Sequence, residues 1–98
     1  MTLGEIMRMF DDEQVVARLL PDLGDEKWQA RAASFAEGRG EELAAYAGAA
    51  VGRFAGCAGD EDWMSLLGSL NRACDPGAHC LRRMVDWAMA RDGGARTR

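Results

Sequence analysis

Apolar side chains recur along this chain at three- and four-residue intervals, the period of a helix with one buried face. Thr2-Leu3-Gly4-Glu5 is a capping box, and Leu3, Ile6, Met7 and Phe10 follow it at helical spacing. Asp11-Asp12-Glu13-Gln14 offers a fresh N-cap before a stripe of Val15, Val16, Leu19, Leu20 and Leu23. Pro21 has no N–H to donate, so this helix is expected to kink or stop near Leu20, with Gly24 closing the segment. Asp25 caps a third helix carrying Trp28, Ala32 and Phe35, and Gly38-Arg39-Gly40 ends it. After Glu41 and Glu42 comes a fourth helix, 41–58. Gly59-Asp60-Glu61-Asp62 then turns the chain into a fifth, with Trp63, Leu66, Leu67 and Leu70 on one side. Asp75-Pro76 is a strong start for a sixth, striped by Leu81, Met84, Val85 and Ala88 and expected to end at Gly93-Gly94.

The fourth helix departs from the rule that a surface helix carries charge opposite its apolar stripe. One face holds Leu43, Tyr46, Ala47, Ala50, Phe54 and Cys57. The other holds only Ala44, Ala45, Gly48, Ala49, Gly52 and Gly56, and Arg53 is the single charge between Leu43 and Ala58. A helix apolar all round belongs at the centre of a fold. Small residues recur every four positions from just before this helix through its length, at Gly40, Ala44, Gly48, Gly52 and Gly56. Interior glycines cost a helix roughly 0.5–1 kcal/mol each against alanine, so some return in close packing is expected. That return is either a neighbouring helix of the same chain or a helix from outside, most simply a second copy. Ala44, Gly48, Gly52 and Gly56 are accordingly the candidate interaction residues.

Composition supports a helical reading. The 98 residues suit one domain; Ala occurs 17 times, whereas Val, Ile and Thr together occur 7 times. With only 17 Leu, Ile, Val and Phe, the core must draw on six Met, three Trp and Ala. Trp28, Phe35, Tyr46, Phe54, Trp63 and Leu67 are expected to be buried. The expected fold is an all-α, compact bundle of five or six short helices with a central apolar helix, a single domain over 1–92 and a frayed Arg/Gly tail over 93–98.

Charge narrows the function. The net charge of −4 disfavours a free-standing nucleic-acid binder, which usually carries a basic excess. The charge is unevenly placed: residues 1–62 hold 6 basic and 13 acidic side chains, net −7, and residues 63–98 hold 6 basic and 3 acidic, net +3. No stretch is apolar for the ~18 residues of a membrane span, and Glu5, Asp11 and Asp12 interrupt any leader-like segment. A cytoplasmic location is the expectation, with free thiols at Cys57, Cys74 and Cys80.

Candidate chemistry is sparse. Cys74, His79 and Cys80 gather two thiols and the only imidazole within seven residues, a possible thiol- or metal-responsive site. Against it stands spacing: there is no Cys-x-x-Cys pair, and His79 and Cys80 on one helix point about 100° apart. No triad order, metalloprotease motif or phosphate loop is found, and no cofactor fingerprint, so an enzyme is not expected. The helix Glu13-Gln14-Val15-Val16-Ala17-Arg18 offers too few polar side chains for a recognition helix. The expectation is therefore a small acidic non-catalytic module that binds a protein partner or itself.

Overall fold

The computed structural model describes the backbone of residues 3–96 and the side chains of residues 4–93. Six α-helices follow in order: α1 (Leu3–Met9), α2 (Glu13–Leu19), α3 (Glu26–Gly38), α4 (Leu43–Cys57), α5 (Asp60–Leu70) and α6 (Pro76–Arg96). Among the described residues there is no strand, and the fold is an all-α compact bundle. The Thr2 cap and the last two residues lie outside the described part.

The helix boundaries have local causes. Asp12 Oδ1 accepts the Gln14 N–H at 2.9 Å and Asp25 Oδ1 accepts the Trp28 N–H at 2.9 Å, each satisfying a donor with no partner within its helix. Pro21 converts the end of α2 into a 3₁₀ turn over Leu20–Asp22. Two glycines are required for steric reasons. A Cβ on Gly24 would sit 2.8 Å from Trp28 Cβ, so only glycine lets the chain turn into α3 there. Gly40, at φ +70°, ends α3: its N–H donates to Glu37 O at 2.9 Å and the Glu41 N–H to Ala36 O at 2.9 Å. At α6, Asp75 Oδ1 accepts the Ala78 N–H at 3.2 Å and Pro76 takes the first helical position.

The core lies between α4 and α6. From α4 come Tyr46, Ala47, Ala50, Val51 and Phe54; from α6 come Cys80, Leu81, Met84, Val85, Ala88 and Met89, all buried. Met84 and Met89, unbranched and adaptable, share this core with the small Ala47, Ala50 and Ala88. Ile6, Phe10, Val16, Leu20, Leu23, Trp28, Ala32 and Ala36 close the core from the first three helices, and Leu66 from α5. Arg82 ties α6 to the first half of the chain. Its Nη1 donates to Leu23 O at 2.6 Å, its Nε pairs with Asp86 Oδ2 at 3.1 Å, and its guanidinium lies 5.0 Å from the Trp28 ring.

Three expectations change. Trp28, Tyr46 and Phe54 are buried as expected, but Phe35 and Trp63 are only partly so, and Leu67 is 47% exposed. The reason for Leu67 is that α5 packs chiefly on α6, which covers Leu66 and leaves the shoulder of the stripe in solvent. Finally, α6 does not stop at Gly93-Gly94 but runs to Arg96. The propagating helix tolerates the glycines at about 1 kcal/mol each. Asp92 is anchored to Tyr46 and Arg53, and Gly93 fits against Phe35, whose Cζ lies 3.5 Å from where a Cβ would be.

Candidate functional site

The outer face of α4 is the most unusual surface of the molecule. Tyr46, Ala47, Ala50, Val51 and Phe54 face the core, which turns Ala45, Ala49, Gly52, Ala55 and Gly56 outward into solvent. From Ala45 to Gly56 this strip runs about 17 Å without a charged side chain, at 1.5 Å rise per residue. Ala44 and Gly48 are partly covered and mark its edge.

That edge borders a groove. Its half toward the start of α4 is lined by Phe10, Asp11 and Glu13 against Ala44, Ala45, Gly48 and Ala49. Its half toward the end is lined by Met7, Arg8, Phe10 and Asp11 against Gly48, Val51, Gly52 and Ala55. The floor is apolar, the α1–α2 corner forms one wall, and α4 forms the other.

The glycines of α4 gain no packing against the described residues. A Cβ placed on Gly48, Gly52 or Gly56 would meet no atom of the described residues within 4 Å outside its own helix. Close approach of a neighbouring helix of this chain, one of the two returns expected from the sequence, is therefore not how they are used. The four residues Ala44, Gly48, Gly52 and Gly56 do share a surface, and Ala45 and Ala49 join it.

Beside this face, Arg53 turns away to α6. Its Nη2 pairs with Asp92 Oδ1 at 2.9 Å and its Nη1 with Oδ2 at 3.2 Å. Tyr46 Oη donates to the same Oδ2 at 2.7 Å. Arg53 holds the Asp92 carboxyl below the usual carboxylate range, against the opposing effect of burial, with the Tyr46 hydrogen bond assisting. Burial, followed by the Asp92 hydrogen bond, pushes the Tyr46 phenol well above its ordinary value. The single charge of α4 is thus consumed in a structural clamp.

The cysteine–histidine cluster is not assembled. Cys80 is buried in the core, and burial pushes its thiol up to about 11, away from the reactive thiolate. Cys74 is exposed in the turn before α6, and Cys57 is exposed at the end of α4. His79 Nε2 lies 2.7 Å from Ser69 Oγ on α5. Among the described residues no group of three His, Cys, Asp or Glu side chains is placed to hold a metal ion.

A second cleft, of about 240 Å³, opens between α5 and α6 and had no signal in the sequence. Its floor is Phe54, edge-on to Trp87 with ring centroids 5.3 Å apart. Its polar walls are largely occupied. Trp87 Nε1 donates to Asp62 Oδ2 at 3.2 Å, Trp28 Nε1 to Asp86 Oδ1 at 2.7 Å, and Arg83 to the Ser65 hydroxyl. It is smaller than the ~300–1,000 Å³ typical of small-molecule sites. The acidic run Asp60-Glu61-Asp62 serves the start of α5, where Asp62 Oδ2 accepts the Gly59 N–H at 3.1 Å. On the outer side of α5, Met64 is 71% exposed beside Leu67.

Among the described residues, no helix is long and apolar enough to cross a membrane. The chain matches no protein-family model, no curated protein and no solved structure.

Proposed function

We propose that this chain is a non-catalytic, cytoplasmic protein-interaction module whose contact surface is the outer face of α4 with the adjoining groove. The observation that carries the reading is the open space over Gly48, Gly52 and Gly56. Three glycines in a fifteen-residue helix weaken it by roughly 0.5–1 kcal/mol each, and none of the described residues uses the room they make. A helix laid from outside would use it, since glycine and alanine let two backbones approach closely. The strip is flat, apolar and bordered by charge, the composition of an interface centre with its rim.

The test is photo-crosslinking in the native cell from a reactive side chain placed at Ala49, with Ala30, exposed on α3, as the control position. Adducts to protein formed from Ala49 and not from Ala30 are the expected result. Equal adducts from both positions, or none from either, would refute the reading.

A further inference from the structure

We propose that the occupant of the α4 face is a second copy of this chain, with the two α4 helices antiparallel across a twofold axis. Arg8 of each copy is then set against Glu13 of the other. This rests on the interaction reading above and specifies its partner.

The argument begins from the two ends of the groove. Toward the start of α4 it is bordered by Glu13, beside Ala45 and Ala49. Toward the end it is bordered by Arg8, beside Gly52 and Ala55. Both side chains are exposed, and neither makes an ion pair within the described residues. The groove therefore carries a carboxylate, Glu13, at one end and a guanidinium, Arg8, at the other, with the Asp11 carboxylate between them beside an apolar floor.

Symmetry then selects the occupant. A face-to-face twofold whose axis crosses α4 at a right angle reverses the direction of the second helix. It keeps the α1–α2 corners of both copies on the same side of the interface and exchanges their ends. The positive end of one groove lies over the negative end of the other, twice per dimer. A twofold parallel to α4 would instead carry the two corners to opposite sides, and neither charge would meet its complement. A uniformly basic partner helix would meet Arg8 and an acidic one would meet Glu13. A second copy presents both signs in the reverse order, which is the self-complementarity of a twofold interface. The axis falls between Gly48 and Gly52, where the absence of side chains lets the backbones cross. Asp11 borders both halves of the groove, so it lies near the axis and faces its own mate.

The experiment is sedimentation velocity from micromolar to millimolar concentration. Wild type is expected to shift from the mass of one chain toward two. Gly52→Lys should remain monomeric with the helical signal and melting temperature of dilute wild type, because its Cβ has open space in the monomer. Arg8→Glu and Glu13→Arg should each weaken the dimer on the order of tenfold, since each places two like-charge contacts in the interface. An equimolar mixture of the two variants is decisive. In that heterodimer Glu at position 8 faces Arg at position 13, and Arg8 faces Glu13, so affinity should return to that of wild type. Asp11→Asn should tighten the dimer.

Wild type that stays monomeric throughout would overturn the proposal, as would a mixture no tighter than its separate components. If wild type is monomeric while Ala49 still crosslinks to other proteins, the second copy is wrong and the interaction surface stands. If Ala49 forms no adducts that Ala30 does not, the interaction reading itself has failed.

Discussion

Tyr46 Oη, in the first turn of α4, donates a 2.7 Å hydrogen bond to Asp92 Oδ2, near the end of α6. The same carboxylate takes both terminal nitrogens of Arg53, about two turns further along α4. One acceptor thus satisfies the core's only tyrosine and the only charge of the central helix. It also fixes the register of the two longest helices.

Breaking this clamp should be costly from one side and mild from the other. Asp92→Ala leaves a phenol and a guanidinium without their acceptor, at about 2–3 kcal/mol by the usual cost of unmet buried groups. Tyr46→Phe removes one donor and leaves Asp92 paired with Arg53, at about 1 kcal/mol. Urea midpoints at unchanged slope measure both. Equal losses would mean that Asp92 acts only through Tyr46.

The clamp also predicts opposite pH limits. Arg53 depresses the folded Asp92 pKa. Its contribution is therefore complete above the unfolded value of about 3.9 and is lost as pH falls through the lower folded value. Asp92→Asn should lose less melting temperature than wild type between about pH 5 and pH 2. Tyr46 has a raised folded pKa, chiefly from burial. Its contribution is complete below about 10 and is lost as pH rises above it. As the chain has one tyrosine, its phenolate absorbance should appear only together with loss of helical signal. A phenolate signal while the helices remain intact would contradict this.

Glycine replacements should divide by site. Gly48→Ala and Gly56→Ala, with open space at the new Cβ, should each stabilise the monomer by roughly 0.5–1 kcal/mol. Gly24→Ala should destabilise it, because its Cβ meets Trp28 at 2.8 Å. Gly40→Ala should cost about 1 kcal/mol, because φ is +70°. Chemical denaturation at low protein concentration separates these outcomes. A loss at Gly48 would mean that the face is packed inside the chain.

Phe54 holds two tryptophans edge-on, Trp63 at 4.8 Å and Trp87 at 5.3 Å between ring centroids. Phe54→Ala should cost roughly 3–5 kcal/mol and red-shift the tryptophan emission. Against a total stability of roughly 5–15 kcal/mol that leaves a marginal fold. A melting temperature within a few degrees of wild type would show that α4 does not anchor the core.

The thiols should react in two classes. Cys57 and Cys74 are exposed and should be modified at once, whereas Cys80 should react only on unfolding. Cys57→Ser and Cys74→Ser should leave stability unchanged, and Cys80→Ser should lower it by burying an unpaired hydroxyl. Stoichiometric zinc in protein purified without chelator, lost in Cys74→Ser, would instead establish the metal-responsive site.

The sequence by itself determined the helices and most of their ends, because those depend on neighbours a few residues apart. Asp12, Asp25 and Asp75 cap, Pro21 interrupts, and Gly40 reverses the chain through contacts that never leave the segment. It also marked the absence of a polar face on α4. Only the tertiary structure decided which side of that helix stays uncovered, because periodicity fixes relative positions on a helix and not what packs against them. The same limit separates Leu66 from Leu67, one residue apart on α5 but on different sides of its contact with α6. It also separates Cys80 from Cys74, since core packing claims one thiol and leaves the other in solvent. The Asp92 clamp and the opposed charges at the two ends of the groove join residues distant in the chain, and only folding brings them together.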